Sequence, residues 1–423
     1  MKNVTSAVCI SCGAEYEAGN DTYTCVKCGG ILEIQYDYGR IKSRLSRETL
    51  KDRRDYSMWR YREFLPVEED SRLTPLRVGW SPLYRAEKLG RLLGLDNLYI
   101  KDDGLNPTSS LKDRASAIAV VRAAHGGMGT VACSSTGNAA SSLAGNAAAM
   151  GLESYIFVPE RAPKGKVTQL LIFGAHVISV KGNYEDTFKL SAGAIEKYGW
   201  YNRNAAINPY LSEGKKTVSL EIAEQLDFKV PDFVAVSVGD GCTIAGVWKG
   251  FKDLHAAGLI DRLPRLISVQ AEGCCPVNKA AVSGKPLEWM EENTLADSIA
   301  VGVPRNGEKA LRAIRESNGI CVNVSDAEIL AAMSLLGRSA GVFGEPAGVT
   351  GTAGVKKVAE QGLIPQDALV VSVVTGNGLK DIVSAQEAAS AGPGLLQIPP
   401  DINLLIKAID QGFGRAPIRQ DAG

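Results

Sequence analysis

A chain of 423 residues exceeds what one simple hydrophobic core supports, so two domains with an appendage are expected. Its 47 Lys and Arg balance 47 Asp and Glu, which argues against a nucleic-acid or membrane surface as the main partner. No run is long and apolar enough to span a bilayer, and Met1-Lys2-Asn3-Val4-Thr5 opens no signal-peptide core, so a cytoplasmic protein is expected.

The chain begins with two C-x-x-C pairs, Cys9-Ile10-Ser11-Cys12 and Cys25-Val26-Lys27-Cys28, the second followed by Gly29-Gly30. This is the knuckle spacing of a tetrahedral four-thiolate zinc. Four cysteines leave the metal no open position for water, so the predicted zinc is structural. A nucleic-acid role suits such ribbons, but the charge around this one is mixed rather than basic. The other five cysteines scatter through the apolar body and form no disulfide framework.

Residues from about 40 to 75, with Met58-Trp59-Arg60-Tyr61-Arg62-Glu63-Phe64 at their centre, read as an arm or helix packing on the body. From Ser81-Pro82-Leu83-Tyr84 onward, short apolar strands alternate with alanine-rich helices. The strands are expected at Leu98–Ile100, Thr130–Cys133, Ser154–Val158, His176–Val180, Phe233–Val238, Leu266–Val269 and Ala368–Val374. Several are continuous apolar runs, as strands buried on both faces should be, and the alternation predicts an α/β fold of doubly wound parallel sheets. Ligands in such sheets bind beyond the carboxyl ends of the strands.

One polar, turn-forming run, Asn106-Pro107-Thr108-Ser109-Ser110, delivers Lys112 into the first turn of the apolar helix that follows. Ser110 is the expected N-cap, with Asp113 three residues on. A cation is disfavoured at a helix N-terminus, and with some desolvation this placement lowers the lysine's pKa and makes it a nucleophile. Gly126-Gly127-Met128-Gly129 precedes the next strand and reads as a helix stop.

Three strand-to-helix loops carry small polar residues. Ser134-Ser135-Thr136-Gly137-Asn138 offers hydroxyls, an amide and backbone N–H groups to an anion such as a carboxylate. Gly239-Asp240-Gly241-Cys242-Thr243 has the closely spaced glycines that let a backbone wrap a phosphate at a helix start. Thr375-Gly376-Asn377-Gly378-Leu379-Lys380-Asp381 follows the most apolar strand. Tight turns need glycine whatever they bind, so each loop taken singly reads equally as structure. The histidines, His125, His176 and His255, sit in no metal-binding or triad context. No G-x-G-x-x-G follows the first strand, which removes a nicotinamide enzyme.

Together these segments resemble the fold-type II pyridoxal-phosphate enzymes (the tryptophan synthase β-like fold), and among them the threonine synthases, over nearly the whole chain. The ribbon is similar to that of many archaeal-type members, and Met58-Trp59-Arg60-Tyr61 and Ser81-Pro82-Leu83 to the segment that precedes the catalytic body. Ser110-Leu111-Lys112-Asp113-Arg114 resembles the family's Ser-Phe-Lys-Asp-Arg, with Leu111 for Phe. The resemblance implies that Lys112 carries pyridoxal 5'-phosphate as a Schiff base. It implies further that Asn138 meets the ring hydroxyl, that Gly239, Asp240, Gly241, Cys242 and Thr243 hold the cofactor phosphate, and that the Thr375 hydroxyl contacts the pyridine nitrogen. A hydroxyl there leaves the pyridine largely unprotonated, which implies eliminations and replacements rather than transamination. Ser135 and Thr136 would bind the substrate.

Asn208-Pro209-Tyr210 and Glu213-Gly214-Lys215-Lys216-Thr217 match the family's Asn-Pro-Tyr-Arg-Leu-Glu-Gly-Gln-Lys-Thr, yet the arginine that binds the substrate phosphate is Leu211 here. The small polar residues expected upstream are Ala205 and Ala206, and Ala139 replaces a threonine. Leucine makes no charge-assisted bond to a phosphate. Either Arg203, Lys215, Lys216, Lys164 or Lys166 replaces it, or the leaving group differs.

The expected activity is conversion of O-phospho-L-homoserine and water to L-threonine and phosphate. Cysteate synthase chemistry on O-phosphoserine with sulfite, threonine or serine dehydration, and a non-catalytic zinc-ribbon binding protein are the alternatives. The expected division is a ribbon over 1–35, an arm over 36–80, a large cofactor domain from 81–115 and 195–400, a small domain over 116–194, and a C-terminal helix and tail over 401–423. The family implies a homodimer.

Overall fold

A strand covered on both faces needs apolar residues at every position, and the continuous apolar runs do form the centres of two sheets. In the computed structural model, residues 1–19, 22–135, 137–160, 162, 164–182, 184–204, 207–392 and 394–413 are described. The larger sheet has six strands in the order Ile320–Val324, Arg265–Ala271, Phe233–Ser237, Leu369–Val374, Asn97–Asp102 and Leu83–Arg85. Its first five run parallel, and Leu83–Arg85 closes the edge antiparallel. The smaller sheet is parallel, in the order His176–Val180, Glu153–Pro159, Thr130–Ser134 and Tyr201–Asn202.

Every strand expected from the apolar runs is present, within two residues at each end. In these two sheets three further strands carry too little apolar signal to stand out: the exposed edge Leu83–Arg85, the two-residue Tyr201–Asn202, and Ile320–Val324, which is only partly buried at the opposite edge. A separate antiparallel sheet of Glu15–Tyr16, Val4–Cys9 and Leu32–Tyr36 forms at the N-terminus. Because Tyr201–Asn202 pairs with Thr130–Ser134, the smaller sheet extends past residue 194, where its unit was expected to end.

The pleat of Leu369–Val374 divides the interior. Val371 and Val373 join one apolar cluster with Val234, Val236 and Leu254, while Val370 and Val374 join a second with Ile100, Val269 and Val355. Ribbon residues Leu32 and Ile34 and arm residues Tyr61 and Phe64 belong to the first cluster, so both segments pack into the body. The arm, built from Tyr38–Lys42, Arg47–Lys51 and the turn Met58–Phe64, is pinned by Arg60. Its Nε lies 2.9 Å from Glu224 Oε2 and its guanidinium covers Trp80 at 5.0 Å.

Two helices cross close to the site because a glycine permits it. A Cβ on Gly214 would lie 2.1 Å from Arg114 O, so only glycine lets Tyr210–Lys215 lie against Lys112–His125. Ile402–Asp410 is the expected C-terminal helix, and the tail over 414–423 lies outside the described residues.

Candidate active site

The lysine turn is held by pairing rather than by a cap. Leu111 occupies the helix N-cap position without a side-chain bond, and Ser110 Oγ is buried with no partner. Asp113 turns back instead, accepting Thr108 N at 2.7 Å and Thr108 Oγ1 at 2.8 Å. The expected capping box does not form because Ser110 is drawn into a bridge with Gly376. Leu111 N donates to Thr375 O at 2.9 Å and Asn377 N to Ser109 O at 3.1 Å. Lys112 and Thr375 are thereby stitched to the same seam at the carboxyl ends of two strands.

Both line a cavity of about 120 Å³ together with Asn138, Arg203, Lys215, Glu345 and the loop from Gly239 to Thr243. Gly241 sits at φ 91° and starts the helix Cys242–Ala256. A Cβ there would lie 2.7 Å from Asn306 O, and one on Gly239 would lie 2.7 Å from Ile299 Cα, so the loop tolerates only glycine at both positions. Asp240 ties the loop down by accepting Arg305 N at 2.7 Å through Oδ1. Gly239 to Ile244, at the start of the helix Cys242–Ala256, line the cavity, where the positive end of the helix dipole suits a phosphate.

Burial pushes the Lys112 amine down to about 8, with the charges of Lys215 and Arg203 adding to the effect. Arg203 and Lys215 are 1 % and 2 % exposed. Arg203 donates through Nε to Ser116 Oγ at 3.1 Å, and among the described residues neither cation has a carboxylate partner. Buried cations left so are costly, and an anion in the cavity would relieve them.

Lys216, the next residue along, is not in the cavity. Its ammonium lies 2.6 Å from Glu213 Oε2 and 2.5 Å from Asp253 Oδ2. Lys166 pairs with Asp297 beside the loop Ser298-Ile299, which covers the cavity. Ser135 N donates to Phe157 O at 3.1 Å and its Oγ accepts Gly137 N at 3.3 Å, so this hydroxyl braces its own loop. Thr136, Ala205, Ala206 and the Lys164 side chain lie outside what is described. No histidine lines the cavity.

Glu345 is the residue that the sequence reading missed. Its Oε1 accepts Asn138 Nδ2 at 2.6 Å, and burial raises its carboxyl to about 7. The only local signal was a glutamate directly before the proline of a helix start, Glu345-Pro346.

The cavity fits pyridoxal phosphate by its donor set: a lysine of lowered pKa, a helix-start cradle that two side chains would fill, and unpaired cations for an anion. The ribbon fits zinc. Cys9, Cys12, Cys25 and Cys28 place their sulfurs within 4.8 Å of one another. Cys9 and Cys28 are 3.5 Å apart and Cys12 and Cys25 3.6 Å. A tetrahedral zinc with bonds of about 2.3 Å needs sulfurs roughly 3.8 Å apart. The ribbon is anchored by Tyr210 OH donating to Gly19 O at 2.6 Å and Lys309 Nζ donating to Leu32 O at 2.5 Å.

Comparison with known proteins places this geometry. Residues 75–376 match the family described as pyridoxal-phosphate dependent enzyme. The chain is 41 % identical over 406 residues to the threonine synthase of Methanocaldococcus jannaschii, covering 95 % of this chain and 99 % of that one. It is 43 % identical over 376 residues to the threonine synthase of Methanosarcina acetivorans, covering 88 % and 91 %. Among solved structures, maize serine racemase superposes with a TM-score of 0.63 at 20 % identity, covering 78 % of this chain and 92 % of that one. The processed threonine deaminase isoform 2 of Solanum lycopersicum superposes with a TM-score of 0.61 at 22 % identity, covering 73 % and 87 %. At such identities these two show the fold alone.

Proposed function

The chain belongs to the pyridoxal-phosphate dependent enzyme family and, within it, to the threonine synthases, and from that premise we propose how its residues divide the work. The reaction is conversion of O-phospho-L-homoserine and water to L-threonine and phosphate, the work of a carbon–oxygen lyase. The chemistry supplied by bound pyridoxal phosphate is an electron sink for carbanions of the amino acid.

Lys112 Nζ would hold the cofactor and, with substrate bound, would move protons at the substrate Cα and the neighbouring carbons. Its lowered pKa supports that role, since only the neutral amine is a nucleophile or base. The helix start after Gly241 would hold the cofactor phosphate, with Gly239, Asp240, Cys242 and Thr243 shaping the cradle. Asn138 and Thr375, which line the cavity, would hold the cofactor ring, and a neutral hydroxyl from Thr375 would favour elimination and replacement. The Ser135–Thr136 loop receives the substrate carboxylate. With no histidine in the cavity, the departing phosphate serves as a proton partner.

The substrate phosphate falls to Lys215 and Arg203. Two cations that line the cavity without a carboxylate partner among the described residues are the single observation that carries this assignment. Lys215 stands one helical turn beyond Leu211, so a cation at 215 projects from the same face as the missing arginine would. Lys216 drops out, because Glu213 and Asp253 already neutralise it. The four-cysteine ribbon holds a structural zinc, and we further propose a cytoplasmic homodimer. No helix among the described residues is long and apolar enough to cross a membrane.

Purified protein should release phosphate and threonine in equal amounts from phosphohomoserine. Turnover instead of O-phosphoserine with sulfite, or of threonine to a keto acid, would move the assignment to cysteate synthase or to a dehydratase.

A further inference from the structure

The cavity contains a buried carboxylate for which the division of work above has no task. Glu345 is 6 % exposed and stands at the start of the helix Pro346–Glu360. Its backbone N–H donates to Gly376 O at 2.9 Å, which ties it to the loop that carries Thr375. A Cβ on Gly376 would lie 2.2 Å from Glu345 Oε1, so that loop is shaped around the carboxyl. Asn138 faces it from one helix, Lys112 from a second, Lys166 from a third, and Lys380 from the turn Gly378–Lys380.

The bond to Asn138 has a directional consequence. An amide presents donors at one end and an acceptor at the other, and a carboxylate can only accept. While ionised, Glu345 therefore draws Nδ2, not Oδ1, toward itself, and the second N–H on that nitrogen remains for a neighbouring acceptor. The same negative charge favours a proton on the Lys112 nitrogen. With its carboxyl raised to about 7, Glu345 changes charge near neutral pH.

We propose that Glu345 is a positioning residue: it selects the orientation of the Asn138 amide and raises the proton affinity of the Lys112 nitrogen. This rests on the reading of Lys112 and Asn138 as cofactor residues. Glutamine at 345 is nearly isosteric but carries no charge and can donate as well as accept, so it loses both effects. Aspartate keeps the charge and withdraws it by one methylene, so it loses part of each.

The test is a pH titration of the visible cofactor band in the wild-type holoenzyme, Glu345→Gln and Glu345→Asp, with borohydride trapping and peptide mapping in parallel. The expected midpoint is lower by about one pH unit in Glu345→Gln, as removal of one nearby charge predicts. Glu345→Asp should fall between, and it decides the matter alone if Glu345→Gln does not fold. A part that Glu345 plays only in packing would leave the midpoints coincident. Coincident midpoints with the cofactor mapped to Lys112 overturn this inference and leave the site reading intact. A wild-type protein that takes up no cofactor, or carries it on another lysine, overturns both.

Discussion

Lys215 and Lys216 are neighbours in sequence, identical in chemistry and both buried, yet they face opposite kinds of surroundings. Lys216 enters a closed cluster. Glu213 and Asp253 pair with it, Tyr36 lies under its ammonium at 3.9 Å, Tyr36 OH donates to Glu213 at 2.9 Å, and Tyr38 OH donates to Asp253 at 2.6 Å. There the desolvation of each charge is offset by a partner already present. Among the described residues Lys215 has no carboxylate partner, and it adds its charge to those of Lys112 and Arg203 in the cavity. The first region is arranged to be complete in the folded chain, and the second is complete only with an anion bound.

The most direct way to break this comparison is at the third cation of the cavity. Lys112→Ala should lower turnover by about a thousandfold or more, since it removes the attachment point and the base together. Borohydride reduction should then leave no pyridoxyl group on the peptide that contains position 112. In the closed cluster, Lys216→Met should cost about 3–5 kcal/mol in urea unfolding, because Lys249 is left to balance the two buried carboxylates Glu213 and Asp253. The folded fraction should keep the wild-type KM. An unchanged unfolding midpoint would mean that the cluster is not the closed unit described.

Lys215→Ala and Arg203→Ala should do the reverse. Each should raise the KM for phosphohomoserine about tenfold, or roughly 1.4 kcal/mol if KM tracks binding. Stability should hold or rise, since a buried like-charge contact is relieved. Wild-type kinetics in both variants would remove the phosphate assignment.

The pH dependence sharpens the contrast. Lys112 falls from 10.5 to about 8 on folding, so between those values the unfolded chain holds a proton that the folded chain lacks. Stability of the cofactor-free protein should therefore gain a contribution as pH rises through that window, and Lys112→Ala should remove it. Thermal melts of the two proteins at pH 8 and pH 10 compare the slopes directly. The smallest effect is expected far from both regions: chelation should remove one zinc per chain and lower the melting temperature while leaving the cofactor band in place. Loss of the band on chelation would show that the ribbon's contact through Lys309 reaches the cradle beside Asp240.

What could be read from the sequence was chemistry carried by residues adjacent in the chain. The two C-x-x-C pairs, the glycine-rich loop, the lysine at a helix start and the seven expected strands, several of them continuous apolar runs, all have local signatures, because a turn, a knuckle or a buried strand constrains its own residues. The cap at Ser110 had such a signature too, and it was wrong. Pairing with Gly376, more than two hundred residues later, competed for the same backbone and won.

Composition and local pattern thus determined the α/β fold class, a lysine delivered to a helix start and the close spacing of four cysteines. Tertiary structure alone decided which of two adjacent lysines is free, that Arg203 joins it, and that Glu345 reaches Asn138. The physical reason is that charge and hydrogen-bond state depend on partners. Those partners, Asp253 for Lys216 and Asn138 for Glu345, come from elements far away in the chain, brought within bonding distance only when the sheets and helices pack.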